Sequence, residues 1–342
     1  MKIKEIAKKN QYMVMLICFL AVLLVFFSIT KGGTLWTLST WKGMMQQMPQ
    51  YGVMTVGLAF CFIIGNIDLS FVALGDFACI VSVLLMSALA GDGATGAAQV
   101  GIVIIGILVV FAIAAVGGFI NGLLVAKLGI PPVVATIAMQ LCWTGLSIAI
   151  TGGDTVKGVP SGFTSLINSS IFGFIPVTLI VFVLVFILAV FLLKKTTYGE
   201  KLYMVGTNKK ACKFSAINTD MMEIGTFMLT DVIASVGALL MVASYSSAKA
   251  DYGESYVMRC ILILVLSGIL PDGGIGKISN LILGLASIQI IATCINMFSK
   301  LNTYYSSLIW GAMLIIVLIL STKLGTGEPL FKRKAKTTEA KS

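Results

Sequence analysis

The chain has 342 residues, of which 58% are hydrophobic and only 11% are charged. Because a soluble domain has about 25% charged residues, this composition excludes a chain folded around one water-soluble core. The formal net charge of +10 would suggest a nucleic-acid partner in a soluble protein. Here the basic residues lie in tails and loops between apolar runs, so we expect a lipid bilayer around the protein and no nucleic acid as a partner.

Apolar runs recur along the whole chain. A bilayer core about 30 Å thick needs roughly 20 apolar residues per spanning helix, and a lone strand cannot satisfy its backbone in lipid. The first run follows a basic start, but it is too long for a signal peptide and lacks a clear cleavage site, so we interpret it as an uncleaved helix. The sequence predicts an all-α integral membrane protein with about ten transmembrane helices. The predicted spans are residues 12–30, 46–64, 70–90, 100–126, 132–151, 172–193, 223–246, 257–271, 277–297 and 305–322.

The distribution of basic residues predicts the orientation. If the N-terminus is cytoplasmic, 18 of the 24 Lys and Arg residues fall on the cytoplasmic side, as the positive-inside rule requires. We expect one transmembrane domain over residues 1–342 with both termini in the cytoplasm. Its cytoplasmic parts include an N-terminal tail (1–11), a long loop (194–222) and a basic C-terminal tail (323–342).

The spans also group into two units. Residues 46–151 hold four spans that start outside, and residues 223–322 hold four that start inside. Two units of opposite orientation are typical of inverted-repeat transporters. The halves share no clear sequence identity, so the pattern rests on the order of the spans.

Motifs for catalysis are missing from the sequence. Gly276-Lys277 is followed by Ile278 where a phosphate-binding loop needs Ser or Thr, and Pro271 stands where its first glycine belongs. There is no histidine, so no Ser-His-Asp set can form. The seven cysteines show no metal-ligand spacing and suit the role of small hydrophobes. We expect no enzymatic activity, no metal site and no cofactor on this chain.

Acidic residues inside the apolar runs carry the most information, because ionisable groups in a membrane are costly and usually functional. Asp76 and Asp231 each lie within a predicted span, with no basic residue predicted at their depth. Each could line a path for a polyol, because a carboxylate accepts hydrogen bonds from hydroxyl groups. Each could instead be protonated, or could cap a local break in its helix. Asp68 and Ser70 lie at a turn between two spans, where a helix cap and a path role are both open.

Three further polar residues lie in apolar runs, and each could contact a solute or join two helices. The predicted translocation path comprises Asp68, Ser70, Asp76, Asn121, Thr136, Asp231 and Asn296.

The loop 194–222 mixes basic, aromatic and small residues. It could be a positively charged anchor with a short surface helix. It could also be a docking surface for a cytoplasmic partner.

Four segments together resemble the permease subunits of bacterial ABC importers of the ribose type. They are Gly65 to Ser70 (GNIDLS), Asn121 to Thr136 with Gly129-Ile130-Pro131-Pro132, Thr197 to Ile217, and Ser267-Gly268 followed by Gly273 to Gly276. Their order and spacing are similar over roughly residues 45–322. Asp231 departs from the family, which usually has a small residue there.

The resemblance implies an importer permease fold in the bacterial cytoplasmic (inner) membrane. It implies a second permease copy or paralogue, an extracytoplasmic solute-binding protein, and two cytoplasmic ATP-binding cassette subunits that hold ATP and Mg. It also implies that the loop 194–222 docks those subunits. The residues assigned to docking are Tyr198, Gly199, Tyr203, Gly206, Asn208, Lys209, Lys210, Ala211 and Ser215.

Two functions follow from the sequence. The first is the permease subunit of an ATP-driven importer for a monosaccharide or a related polyol or nucleoside-type solute. The alternative is a proton- or ion-coupled secondary transporter that uses Asp76 and Asp231 as relays. An intramembrane enzyme lacks any catalytic pairing.

Overall fold

The computed structural model describes residues 11–90, 96–297, 308–317 and 319. Within these residues the chain is almost entirely helical, which confirms the predicted all-α membrane fold. The helices are α1 (Gln11–Leu35), α2 (Leu38–Ile64), α3 (Phe71–Ala90), α4 (Ala97–Ala126), α5 (Pro132–Thr151), α6 (Ser161–Asn168), α7 (Val177–Lys195), α8 (Thr197–Thr207), α9 (Lys209–Phe214), α10 (Thr219–Tyr245), α11 (Glu254–Leu266), α12 (Leu281–Asn296, after a 3₁₀ turn at Ile278–Asn280) and α13 (Leu308–Val317).

Eight helices in the described part of the chain are long and apolar enough to cross a bilayer. They correspond to eight of the ten predicted spans. The prediction at 257–271 is represented by α11, which has only 13 residues. The prediction at 305–322 is represented in part by α13, and the rest of that span, like most of the N-terminal tail and the whole C-terminal tail, lies outside the described residues.

The helices form a buried centre and an apolar periphery. The central helices α2 and α10 are largely buried, and α3 and α12 are mostly so. By contrast, α1, α4, α5 and α7 expose many large apolar side chains, among them Val22, Leu108, Leu141 and Leu184. Such an exposed apolar surface is unfavourable in water, and it suits helices that face lipid tails.

Glycines bring α4 against the central helix α10. A Cβ on Gly118 would lie 2.6 Å from Met228 Cα, and a Cβ on Gly122 would lie 2.6 Å from Ile224 Cα. Small residues at helix interfaces in membranes permit this close backbone approach. The contact holds Asn121, which lies between these two glycines, next to α10.

Two short antiparallel strand pairs are the only strands of the described chain. β1 (Val156–Lys157) pairs with β4 (Ser247–Ala248), and β2 (Ser170–Ile171) pairs with β3 (Ile175–Pro176). After β4 the chain turns inward until the Gly253 N–H donates to Asp76 Oδ2 on α3 (3.2 Å). α11 begins at Glu254, three residues before the predicted start. It is shorter than the predicted span because it ends at Leu266, just before Gly268 adopts a left-handed conformation with φ of 76°.

Candidate functional site

A polar network surrounds the break between α2 and α3. Gly65, with φ of 89°, ends α2 in the left-handed region. Asp68 Oδ1 accepts hydrogen bonds from the backbone N–H and the hydroxyl of Ser70, both at 2.8 Å. Asn121 Nδ2 donates to Ser70 Oγ (2.8 Å) and more weakly to Asp231 Oδ2 (3.4 Å). The network therefore joins the break to α4 and α10.

Thr136 reaches the same break from α5. Its hydroxyl lies 2.9 Å from the Pro132 carbonyl on its own helix and 3.2 Å from the Ile67 carbonyl in the break. Five of the predicted path residues thus meet at one place, namely Asp68, Ser70, Asn121, Thr136 and Asp231.

Two buried carboxyl groups belong to this network. Asp68 and Asp231 are linked through Ser70 and Asn121. Asp68 Oδ2 and Asp231 Oδ1 have no hydrogen-bond partner, and no ion pair reaches either residue, within the described part of the chain. Two carboxyl groups buried in one network without a cation are costly to ionise together.

Asp76 lies in a separate acidic cavity between α3, α5 and α11. The cavity has a volume of about 190 Å³ and is lined by Asp76, Gln140, Thr144, Asp251 and Glu254, among others. Asp76 is 3% exposed, its Oδ2 accepts from Gly253, and its Oδ1 has no partner among the described residues. The site therefore presents a fixed carboxyl group with one oxygen free to accept a hydrogen bond.

Asn296 is remote from the other predicted path residues. It lines a larger cavity of about 470 Å³, which we call the amide cavity, where ends of α1, α2, α10 and α12 meet. The sequence reasoning missed the other polar residues of this cavity, because uncharged amides and hydroxyls in a helix give no clear signal. They are Thr34, Thr40, Gln46, Gln47, Gln50, Ser244, Tyr245 and Thr293.

The loop 194–222 folds into α8 and α9, which lie across one end of the helix bundle. The side chains of Thr196 and Asn208 cap these two helices by accepting from Gly199 N (3.3 Å) and Ala211 N (2.9 Å). Both caps have the residue types preferred at helix N-termini.

Several residues assigned to docking make polar contacts with the bundle. Tyr198 hydrogen-bonds to Thr226 (2.9 Å). Lys209 Nζ pairs with the largely buried Glu223 (2.7 Å). Tyr203 donates to the Gly276 carbonyl (2.9 Å), and burial raises the pKa of its hydroxyl, which keeps the donating proton in place.

Other residues of this segment are exposed. Lys210, Ala211 and Ser215 face solvent, as does Phe214, which is 94% exposed at the end of α9. Phe214 was missed in the sequence, where a single aromatic beside apolar residues predicts burial. An exposed aromatic directly after a lysine, here Lys213, suits a protein contact.

Four glycines, which we call the glycine junction, connect α8 to the interhelical breaks. They are Gly65, Gly206, Gly273 and Gly274. A Cβ on Gly206 would lie 2.0 Å from the Ile63 carbonyl oxygen and 2.5 Å from Gly274 N. The Gly274 N–H donates to that carbonyl (2.8 Å), so a displacement of α8 acts directly on the end of α2 and on the break that carries Asp68.

These features define a multi-pass membrane permease. Residues 42–318 match the family described as branched-chain amino acid transport system / permease component, and the chain belongs to this family. The resemblance seen in the sequence is thereby confirmed.

Curated relatives are similar over most of this chain. The ribose import permease protein RbsC of Escherichia coli (strain K12) is 27% identical over 89% of this chain and 92% of its own length. RbsC of Bacillus subtilis (strain 168) is 29% identical over 82% and 84%. The autoinducer 2 import system permease protein LsrC of Yersinia pestis (strain Pestoides F) is 30% identical over 61% and 59%. No solved structure matches the chain significantly.

Proposed function

We propose that this chain is the translocation subunit of an ATP-driven importer for a monosaccharide or a related polyol or nucleoside-type solute. The observation that carries the proposal is the half-satisfied carboxyl group of Asp76 in the acidic cavity. One oxygen is fixed by Gly253 and the other is unpartnered among the described residues. A buried acceptor of this kind is costly unless a donor reaches it, and a sugar hydroxyl is such a donor.

The path runs along α3. Its lining comprises Asp76 in the acidic cavity and the network of Asp68, Ser70, Asn121, Thr136 and Asp231. Asn296 lies at a separate entrance, in the amide cavity. Ser70 and Asn121 are already hydrogen-bonded to each other, so they position the acids. Among the path residues, the buried oxygens without a partner in the described part of the chain are Asp68 Oδ2, Asp76 Oδ1, Asn121 Oδ1 and Asp231 Oδ1.

The energy comes from partner chains. The exposed residues of α9 dock a cytoplasmic ATP-binding cassette subunit that holds ATP and Mg, and this chain binds no cofactor. An extracytoplasmic binding protein delivers the solute, and a second permease copy or paralogue completes the path. The complex lies in the bacterial inner membrane with both termini cytoplasmic. The inward-facing contacts of Tyr203, Lys209 and the glycine junction support docking of the ATP-binding cassette subunit on this segment, because they couple the segment to the breaks between helices.

Uptake by the reconstituted importer tests the proposal. Proteoliposomes containing the permease, its ATPase and its binding protein are supplied with radiolabelled ribose and with ATP in the lumen. We expect uptake that requires ATP hydrolysis and persists with a protonophore. Uptake that proceeds without ATP would refute the importer mechanism.

One observation favours the alternative, proton-coupled mechanism. Asp68 and Asp231 are buried in one network with no ion pair in the described part of the chain, and buried acids of this kind form proton relays. Under this mechanism a proton gradient alone drives uptake, and Asp231→Asn abolishes it. Under the proposed mechanism the Asp231→Asn variant keeps ATP-driven uptake, because the amide oxygen can still accept a hydrogen bond from Asn121 Nδ2.

A further inference from the structure

The amide cavity lies at the end of the bundle opposite the docking segment. It is formed by the last turn of α1, the first half of α2 and the C-terminal ends of α10 and α12. With the orientation predicted from the charge distribution, all four of these ends face the outside. Gln50, its deepest polar residue, lies 12 residues into α2 and hence about 18 Å from the start of that helix.

The floor of the cavity is a fixed hydrogen-bonded layer. Gln50 is 3% exposed, donates to Ser244 Oγ (3.0 Å) and accepts from the Tyr256 hydroxyl (3.0 Å). Gln50 is therefore held in one orientation by α10 and α11. A polar floor held in this way is preorganised, which lowers the entropic cost of binding.

One wall of the cavity is held in the same manner. The Tyr51 hydroxyl donates to Gln289 Oε1. Gln289 Nε2 in turn donates to Thr293 Oγ1 (3.0 Å) and, more weakly, to Gln47 Oε1 (3.4 Å). This chain of bonds leaves the amide nitrogen of Gln47 and the hydroxyl hydrogen of Thr293 directed away from Gln289.

The polar part of the lining is uncharged. Its polar side chains are amides and hydroxyls, with no Asp, Glu, Lys or Arg among the described residues that line it. Amide and hydroxyl groups both donate and accept hydrogen bonds, as the hydroxyls of a sugar do. A zwitterionic amino acid, by contrast, would lose the hydration of two charges without gaining a counter-charge.

The size of the cavity suits the same class of solute. Its volume of about 470 Å³ lies within the range of about 300–1,000 Å³ that is typical of small-molecule sites.

We infer that the amide cavity is an entry site that binds a neutral, polyhydroxylated solute before it reaches the acidic cavity. This inference rests on the proposed function, since it assumes that such a solute crosses the protein. Contacts to Gln47, Gln50 and Thr293 supply the selectivity for hydroxyl groups over charged ones.

Protection of an introduced cysteine tests the site directly. Asn296, exposed at the mouth of the cavity, is changed in the full chain (Asn296→Cys), which is embedded in phosphatidylcholine nanodiscs. The rate of maleimide modification is followed by peptide mass spectrometry, which separates the new cysteine from the exposed native Cys18 and Cys142. We expect ribose to slow this reaction along a saturating curve, by about fivefold at a concentration four times the dissociation constant. Leucine at the same concentration should have no effect.

A second substitution and a matched control complete the experiment. Gln47→Leu in the Asn296→Cys chain should abolish the protection, whereas Gln99→Leu, the same exchange outside both cavities, should preserve it. Absent protection, equal protection by leucine, or protection that survives Gln47→Leu would each overturn the inference. ATP-driven uptake by the unmodified importer is measured in parallel. This second measurement tests the proposed function separately, so the result on the entry site does not decide it.

Discussion

At the scale of single residues, the acidic groups divide into two kinds. Asp68 and Asp231 are each held by hydrogen bonds to Ser70 or Asn121 and form part of a network that closes the break between α2 and α3. Asp76 has one free oxygen that faces a cavity. The sequence singles out all three because a carboxyl group in an apolar run is rare. It does not distinguish a carboxyl group held in a network from one that faces a cavity.

Replacing Asp76 separates hydrogen bonding from charge. Asp76→Asn keeps an oxygen acceptor for the Gly253 N–H and replaces the free oxygen with an amide N–H group, which can donate to a solute hydroxyl oxygen, so we expect ribose uptake to remain within about threefold of the unmodified importer. Asp76→Leu leaves the Gly253 N–H buried without a partner, which costs about 1–3 kcal/mol, and removes the solute contact. We expect its uptake to fall at least about tenfold.

The control is Asp251→Asn at the rim of the same cavity. The Asp251 carboxyl is half-exposed and paired with Lys249 at 2.8 Å, and such a surface pair contributes little. Its uptake should be unchanged, with size-exclusion profiles showing that each variant is folded. Full transport by Asp76→Leu would remove Asp76 from the path.

At the scale of elements, the docking segment has an inner and an outer face. The inner face, with Tyr203, Gly206 and Lys209, is engaged with α2, α10 and the loop that follows α11. The outer face, with Lys210, Phe214 and Ser215, is unengaged within the described chain. Substitutions on the inner face therefore alter the fold, and only those on the outer face report on docking itself.

Phe214→Ser tests the outer face. An exposed aromatic that becomes buried in an interface can contribute about 2 kcal/mol or more, so its loss should weaken the ATPase subunit's affinity by roughly thirtyfold. Affinity is measured by titrating the purified ATPase subunit onto permease nanodiscs. The matched control is Phe172→Ser, because Phe172 is 95% exposed in the turn between β2 and β3, at the opposite end of the bundle. Equal affinities for both variants and the unmodified chain would exclude Phe214 from the docking surface.

At the scale of the whole molecule, the fold separates two polar ends by an apolar belt. The amide cavity lies at one end, the docking segment lies at the other, and exposed apolar side chains surround the helices between them. The predicted orientation assigns the amide cavity to the outside and the docking segment to the cytoplasm.

Cysteine labelling in whole cells tests this orientation. Lys157 and Lys210 are both exposed, on opposite ends of the bundle. Lys157→Cys should react with a membrane-impermeant maleimide on intact cells, and Lys210→Cys should react only after the cells are opened. The unmodified chain gives the background from its native cysteines. The reverse pattern would invert the topology and place the amide cavity in the cytoplasm.

The sequence by itself determined the membrane fold, most of the spans and the buried acids, because hydropathy and ionisable residues act over short stretches of chain. The structure alone decided that Asp68 and Asp231 join one network, that Gly253 reaches Asp76, and that Tyr203 and Lys209 contact the bundle while Phe214 faces out. It alone assembled the amide cavity from four helices. Each of these depends on contacts between residues far apart in the chain, and hydrophobic periodicity cannot specify such contacts when nearly every helix is apolar on all sides.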